Sequence, residues 1–357
     1  MPLYIIESII TLGEVARRVS FRDQPTFIRA ARRRAPPQLA WLILLLPWLA
    51  ASAPAAPSSA PATAVAPAKI DLATFDGLKR SMTLANGETL AYVPLGDPQG
   101  APVVLIHGYT DNARDWVPLV PYLSPHFRLI VVDIRGHGRS GKPECCYTRF
   151  DFAYDIKLLL DGLGIQRADI VGHSLGSIIA QTLAEYWPER TGKVVLISSS
   201  AGSRPGAPPS KVLDGYLTAI RQLKEPIDPD SPFMMAWWSS PTPVDADFMR
   251  RQRQDSAAIP VRVWLAVLEQ GIAPMLAGGE LQASLPRLTA PTLLIWGSKD
   301  QIIDEDSRAF LRDALPHAQV KIFDGLGHNP FWENPQGCAE VINAFLRSAP
   351  RASGAQS

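Results

Sequence analysis

The chain has little of several things that would mark other functions. Its three cysteines, Cys145, Cys146 and Cys338, show neither the CxxC spacing of a zinc ribbon nor the density of a disulfide scaffold. Thiolate metal binding is therefore not expected. No sign of charge prevails either: 35 Lys and Arg stand against 34 Asp and Glu, so nucleic acid finds no broad basic surface and is not expected as a partner. Histidines number only six, few enough that each can be given a place. No internal repeat is present. What the chain does have is apolar content, 46% over 357 residues, which can bury one large core or two modest ones.

The first seventy residues differ from the rest. An Arg-rich stretch ending in Arg32-Arg33-Arg34 runs into "LAWLILLLPWLA" at 39–50. That apolar run suits a signal-peptide core and is shorter than the ~20 residues a helix needs to cross a bilayer. Ala53-Pro54-Ala55 supplies the small-x-small pattern of a cleavage site. Residues 1–55 are therefore expected to be a signal peptide or an N-terminal membrane anchor, with translation starting later than Met1, and the protein to be exported or membrane-attached. Residues 56–70 continue an Ala/Pro/Ser run too poor in large apolar groups to offset the entropy of ordering, and read as a linker. The tail 349–357 reads as a frayed end.

From about residue 80 the pattern changes. "MTLANGETLAYVPLG" is a hairpin candidate with Asn86-Gly87 at its turn. Six further runs follow, "PVVLIHG", "RLIVVDIRG", "ADIVGHS", "KVVLISSS", "PTLLIWGSKD" and "AQVKIFDGLGH". None alternates polar with apolar, which suits parallel strands covered on both faces, with helices between most of them as crossovers. Functional residues should then sit in loops at the strands' carboxyl ends.

One such end is Gly172-His173-Ser174-Leu175-Gly176, closing a strand and opening the helical pattern "LGSIIAQTLAEYW". Glycines two positions either side allow a sharp turn that aims the serine hydroxyl outward, beside the amides of a helix N-terminus. A serine cap on an ordinary turn is the plainer alternative. A nucleophilic serine needs a base and an acid to orient that base. His107 and His137 lie in loops after earlier strands, and His126 precedes a strand. His173 lies inside the turn, its side chain expected to point away from Ser174, and His317 is at the wrong end of the last strand. His328, in "DGLGHNPFWENP", follows that strand's carboxyl end and is the candidate base. For the acid, Asp300 comes first after "TLLIWG", ahead of Asp304, Glu305 and Asp306. Asp324 reads as structural, and no carboxylate follows "KVVLISSS" before Asp214.

Four motifs in order, "HGYTDN", "DIRGHGRS", "GHSLGS", and "WGSKD" with "GHNPFWENP", make residues 80–348 resemble the α/β-hydrolase-fold family of esterases, lipases and related enzymes. The resemblance implies an α/β fold, a mostly parallel central sheet with helices on both faces, and the chain order Ser174, Asp300, His328. It implies an oxyanion hole from the backbone N–H groups of Tyr109 and Leu175, a structural His107, and no cofactor or metal. Serine at 174 disfavours the haloalkane dehalogenases and epoxide hydrolases of this fold, which use aspartate. The expected activity is hydrolysis of an uncharged, apolar carboxylic ester through an acyl-enzyme. An acyltransferase, a cofactor-free haloperoxidase and a carbon–carbon bond hydrolase share the same three residues. A ligand-binding protein that lost turnover is the alternative from another class.

The core is expected at 71–200 and 290–348, with 201–289, too long for a simple crossover, as an inserted cap. Its Met234, Met235, Trp237 and Trp238, with Trp264, read either as substrate-pocket lining, chiefly Met234, Trp237 and Trp238, or as packing. Cys145 and Cys146 read either as one partner in a long-range bridge with Cys338 or as a free pair, since neighbouring cysteines bridge each other only with strain.

Overall fold

The computed structural model describes residues 70–123, 125–202, 211–277 and 279–349. The expected signal or anchor (1–55), the linker up to residue 69 and the tail from residue 350 lie outside the described residues. Eight strands form one sheet: β1 (Arg80–Thr83), β2 (Thr89–Gly96), β3 (Ala101–Ile106), β4 (Phe127–Asp133), β5 (Ala168–His173), β6 (Thr191–Ile197), β7 (Thr292–Gly297) and β8 (Gln319–Phe323). Their order is β1-β2-β4-β3-β5-β6-β7-β8. β1 and β2 form the antiparallel hairpin, turning at Gly87 with φ 88°, and β2 joins β4 antiparallel. Every later pairing is parallel. The parallel strands therefore deliver the residues after Ile106, His173, Ile197, Gly297 and Phe323 to one edge of the sheet.

The unbroken apolar runs bury as expected in the middle of the sheet. Val103 to Ile106, Val194 to Ile197 and Leu294 to Trp296 are fully buried, and each such side chain contributes roughly 1.5–3 kcal/mol of burial. β8 departs from the expectation. As the edge strand it has a single neighbour, and Gln319 to Ile322 are all exposed. The helix Leu175–Tyr186 lies under the sheet with its first eleven residues buried. Against it packs the helix Arg149–Gly162, started by a capping box of Thr148 and Asp151.

Between β6 and β7 the described chain is helical, and its helices are anchored by buried side chains including Ile220, Met234 and Trp264. Among the described residues no helix is long and apolar enough to cross a membrane. The cysteines differ from both readings of the sequence. Cys145 and Cys146 are bonded to each other, while Cys338 is a free thiol. A long-range bridge is impossible in this fold, because Cys338 is buried in the helix Pro335–Arg347 and the pair sits exposed in the loop after β4.

One close approach sets the position of everything at the sheet edge. A Cβ on Gly176 would lie 2.2 Å from the Ile106 carbonyl oxygen and 2.5 Å from that of His107. A Cβ on Gly172 would lie 2.2 Å from the Gly176 oxygen. Only glycines let β5, the helix start and the end of β3 meet here. We predict that Gly176→Ala lowers unfolding free energy by roughly 2 kcal/mol or more, the scale of overpacking against immovable backbone. Gly77→Ala, where a Cβ meets nothing within 4 Å, should stay within about 0.5 kcal/mol of the parent. Urea midpoints of the two variants check this.

Candidate active site

The turn at residue 174 is built from backbone. Ser174 has φ 49° and ψ −117°, in the left-handed half of conformational space that a residue with a Cβ rarely enters. Its amide donates to the Ile197 carbonyl of β6 at 2.9 Å, and its own carbonyl accepts from the Ser177 amide and hydroxyl. Held at both ends, the residue turns its side chain into a cavity of about 440 Å³ at the carboxyl edge of the sheet.

His328, in the loop after β8, lines the same cavity. Its Nδ1 stands 2.9 Å from Asp300 Oδ2 and 3.0 Å from Oδ1. The Asp300 carboxylate also accepts from the amides of Ile302 and Ile303. Burial pushes its pKa up, but His328 and the two amides outweigh that and hold it below the ordinary value. The other carboxylates near these strand ends are engaged elsewhere: Asp304 caps the helix Glu305–Ala314, Glu305 pairs with Arg308, and Asp324 accepts from Ser298 Oγ. Ser174 Oγ and His328 Nε2 have no hydrogen-bond partner among the described residues. Such contacts often tighten only when substrate is bound.

Sequence reasoning missed what holds His328. Its carbonyl accepts from Ser198 Oγ at 2.7 Å and from His173 Nε2 at 3.1 Å. Ser198 follows β6 at φ 50°, and nothing in "ISSS" marks one serine above another. His173, expected to point away from Ser174, lines the same cavity and reaches the His328 carbonyl.

Tyr109 and Leu175 both line the cavity. Neither amide donates to a carbonyl among the described residues. Two buried histidines shape this loop. His107 Nε2 accepts from the Ile134 amide at 3.0 Å, so its Nδ1 carries the proton and donates to the Gly108 carbonyl. His137 Nε2 accepts from the Thr110 amide and its Nδ1 donates to the Arg135 carbonyl. Both are thereby neutral, tying the loop after β3 to the loop after β4. Between those loops, buried Asp133 accepts from the Ala113 and Arg139 amides and pairs with Lys79.

Of the expected pocket residues, Trp237 and Trp238 line the cavity, joined by Tyr216, Ile178, Leu268 and Met275. Met234 does not. It is fully buried in the packing of its helix, and its neighbour Met235 is exposed, because one helical turn distributes adjacent residues to different faces.

Metal-ligating atoms converge at one group among the described residues, Asp111, Asp115 and His173, within 4.8 Å of one another. Asp115 Oδ2 and His173 Nδ1 have no hydrogen-bond partner there. Desolvation drives both carboxyls well above their ordinary range and His173 well below its own. Asp111 accepts from Gln252, and the two facing acceptors left without a donor, on Asp115 and His173, are satisfied by a retained proton as well as by a cation.

With the site in view, the chain can be compared with known proteins. Residues 101–335 match the alpha/beta hydrolase fold family. The chain belongs to that family. It is similar to a non-heme chloroperoxidase of Streptomyces lividans, at 27% identity over 75% of this chain and 99% of that protein. It is similar also to a pimeloyl-[acyl-carrier protein] methyl ester esterase of Aeromonas salmonicida, at 28% identity over 70% of this chain and 96% of the other. Among solved structures, a hydrolase from Pseudomonas aeruginosa superimposes with a TM-score of 0.66 at 25% identity, covering 76% of this chain and 99% of that one. This α/β-hydrolase thus matches its relatives across the strands that carry the site.

Burial pulls the His137 pKa down to about 4. The unfolded chain binds that proton near pH 6.5, so between these values protonation favours the unfolded state and native stability falls as pH drops. Over the whole window His137 costs roughly 3 kcal/mol. A variant that keeps the acceptor without titrating, His137→Gln, lacks this loss. The stability gap between wild type and His137→Gln should therefore shrink from pH 7 to pH 4, measured by urea unfolding. A pH-independent gap would contradict the neutral buried imidazole.

Proposed function

We propose that this α/β-hydrolase cleaves uncharged carboxylic esters with Ser174 as nucleophile, His328 as general base and acid, and Asp300 as the carboxylate that orients His328. The observation that carries the reading is the strained Ser174 backbone, which turns its side chain into the cavity where His328 stands with Asp300 2.9 Å behind it. Ser174 Oγ attacks the ester carbonyl carbon as its proton passes to His328 Nε2. The carbonyl oxygen becomes an anion received by the amides of Tyr109 and Leu175. The proton then goes to the departing alkoxide, and water, activated by the same imidazole, releases the acid. The Asp300 carboxylate keeps the proton of neutral His328 on Nδ1 and offsets the charge that forms.

Trp237, Trp238, Leu268 and Met275 support an apolar acyl or alcohol group rather than a charged one. The likeness to a non-heme chloroperoxidase supports a second reading in which the same acyl-enzyme passes to hydrogen peroxide instead of water, giving a peracid. Product analysis with peroxide or an alcohol as competing acceptor separates these.

Three results are expected from one set of experiments. A fluorophosphonate should form a single adduct, mapped by mass spectrometry to Ser174, and p-nitrophenyl esters of graded chain length should be hydrolysed by wild type and not by Ser174→Ala. Asp300→Asn should lower kcat on the order of ten thousand-fold, as removal of the orienting carboxylate does in the serine protease template. A folded wild-type protein that takes no label would overturn the reading. A small loss in Asp300→Asn would move the acid elsewhere.

A further inference from the structure

The loop after β3 and the helical segment between β6 and β7 are joined residue by residue. Tyr109 donates its hydroxyl to the Trp264 carbonyl at 2.6 Å. Thr110 Oγ1 accepts from the Trp237 indole N–H at 2.9 Å. Asp111 accepts from Gln252, Asn112 donates to Asp255, and Arg114 pairs with Asp255. The Tyr109 ring lies edge-on to both Trp237 and Trp264, with centroids 5.8 Å away in each case. Trp237 itself is fixed by stacking on Phe233 and by the edge of Tyr216.

The Trp237 bond meets the loop at its most strained point. Thr110 has φ 66°, a β-branched residue in a region where its Cβ is crowded. Its hydroxyl donates onward to the Tyr109 carbonyl at 2.7 Å, and its amide is held by His137. The hydroxyl has one proton, used on Tyr109, so its lone pair is what receives the indole. The resulting chain, Trp237 to Thr110 to Tyr109, together with His137, holds the Tyr109–Thr110 peptide unit, the one directly after the Tyr109 amide proposed to receive the oxyanion.

We propose that Trp237 is a positioning residue for catalysis, holding the Tyr109 amide in place for the oxyanion through Thr110, so that the β6–β7 segment completes the active site as well as covering it. This rests on the serine-hydrolase reading. Oxyanion donors act by being fixed before charge develops, and loss of one outright costs about 10²–10³ in kcat. Loosening one should cost less, roughly ten- to a hundred-fold.

The test is Trp237→Phe, which keeps an aromatic ring in the cavity wall and removes the N–H. We expect kcat on a p-nitrophenyl ester to fall by that factor with KM within about three-fold. A trifluoromethyl ketone of the same chain, which binds as an oxyanion, should lose affinity in proportion to kcat/KM. The corresponding amide, a ground-state mimic, should not. Thr110→Val should reproduce the effect and Thr110→Ser, which keeps the hydroxyl, should restore wild-type kcat. This pair decides the matter if Trp237→Phe fails to fold. The proposal is overturned if Trp237→Phe or Thr110→Val retains kcat within two-fold, or if the loss lies in KM and both inhibitors weaken equally. A wild type without turnover removes the serine reading and this proposal together, whereas an active wild type matched by its variants removes this one alone.

Discussion

A residue with a side chain held at φ 49°, ψ −117° stores on the order of 1–3 kcal/mol of backbone strain, and the structure around Ser174 is arranged to hold it there. The β6 carbonyl takes its amide, the first turn of the helix takes its carbonyl, and two glycines remove the Cβ atoms that would force strand and helix apart. Relaxation of any of these would let the serine fall back to ordinary backbone angles and turn its hydroxyl into the packing. The same contact of Gly176 with the end of β3 sets the distance between the helix amide of Leu175 and the loop that carries Tyr109.

That loop has its own support, and the two imidazoles in it are uncharged. His107 and His137 each use one nitrogen as acceptor and the other as donor, which only neutral imidazole can do. Burial keeps both neutral by pushing their pKa values down. His328 differs because one ring nitrogen faces a carboxylate while the ring edge opens on the cavity. Environment thus divides chemically identical side chains between closed scaffolding pairs and one ring that opens on the cavity.

Much of this was legible before any coordinates. Ser174, Asp300 and His328 stand directly after apolar runs that form β5, β7 and β8, so strand ends alone bring them to one edge. Tyr109 and Leu175 came only through family resemblance, since an amide leaves no residue type to read. Ser198 and His173, which grip the His328 carbonyl, were illegible because a hydrogen bond to backbone depends on where two distant loops cross. Met234 stayed open between pocket lining and packing, because a Met-Trp stretch does not say which face of its helix meets the cavity, and the structure buries it in packing. The exposure of β8 was hidden by its place at the sheet edge, a property of strand order rather than of composition.

The central claim is that the strained turn directs Ser174 to a point where an oxygen bonded to it can reach two waiting amides. A crystal structure of the phosphonate adduct tests that most directly. The account predicts phosphorus on Ser174 Oγ, with one phosphonyl oxygen within about 3.1 Å of the backbone nitrogens of both Tyr109 and Leu175. An adduct whose oxygens point away from those two nitrogens, or one borne by a different residue, would contradict it.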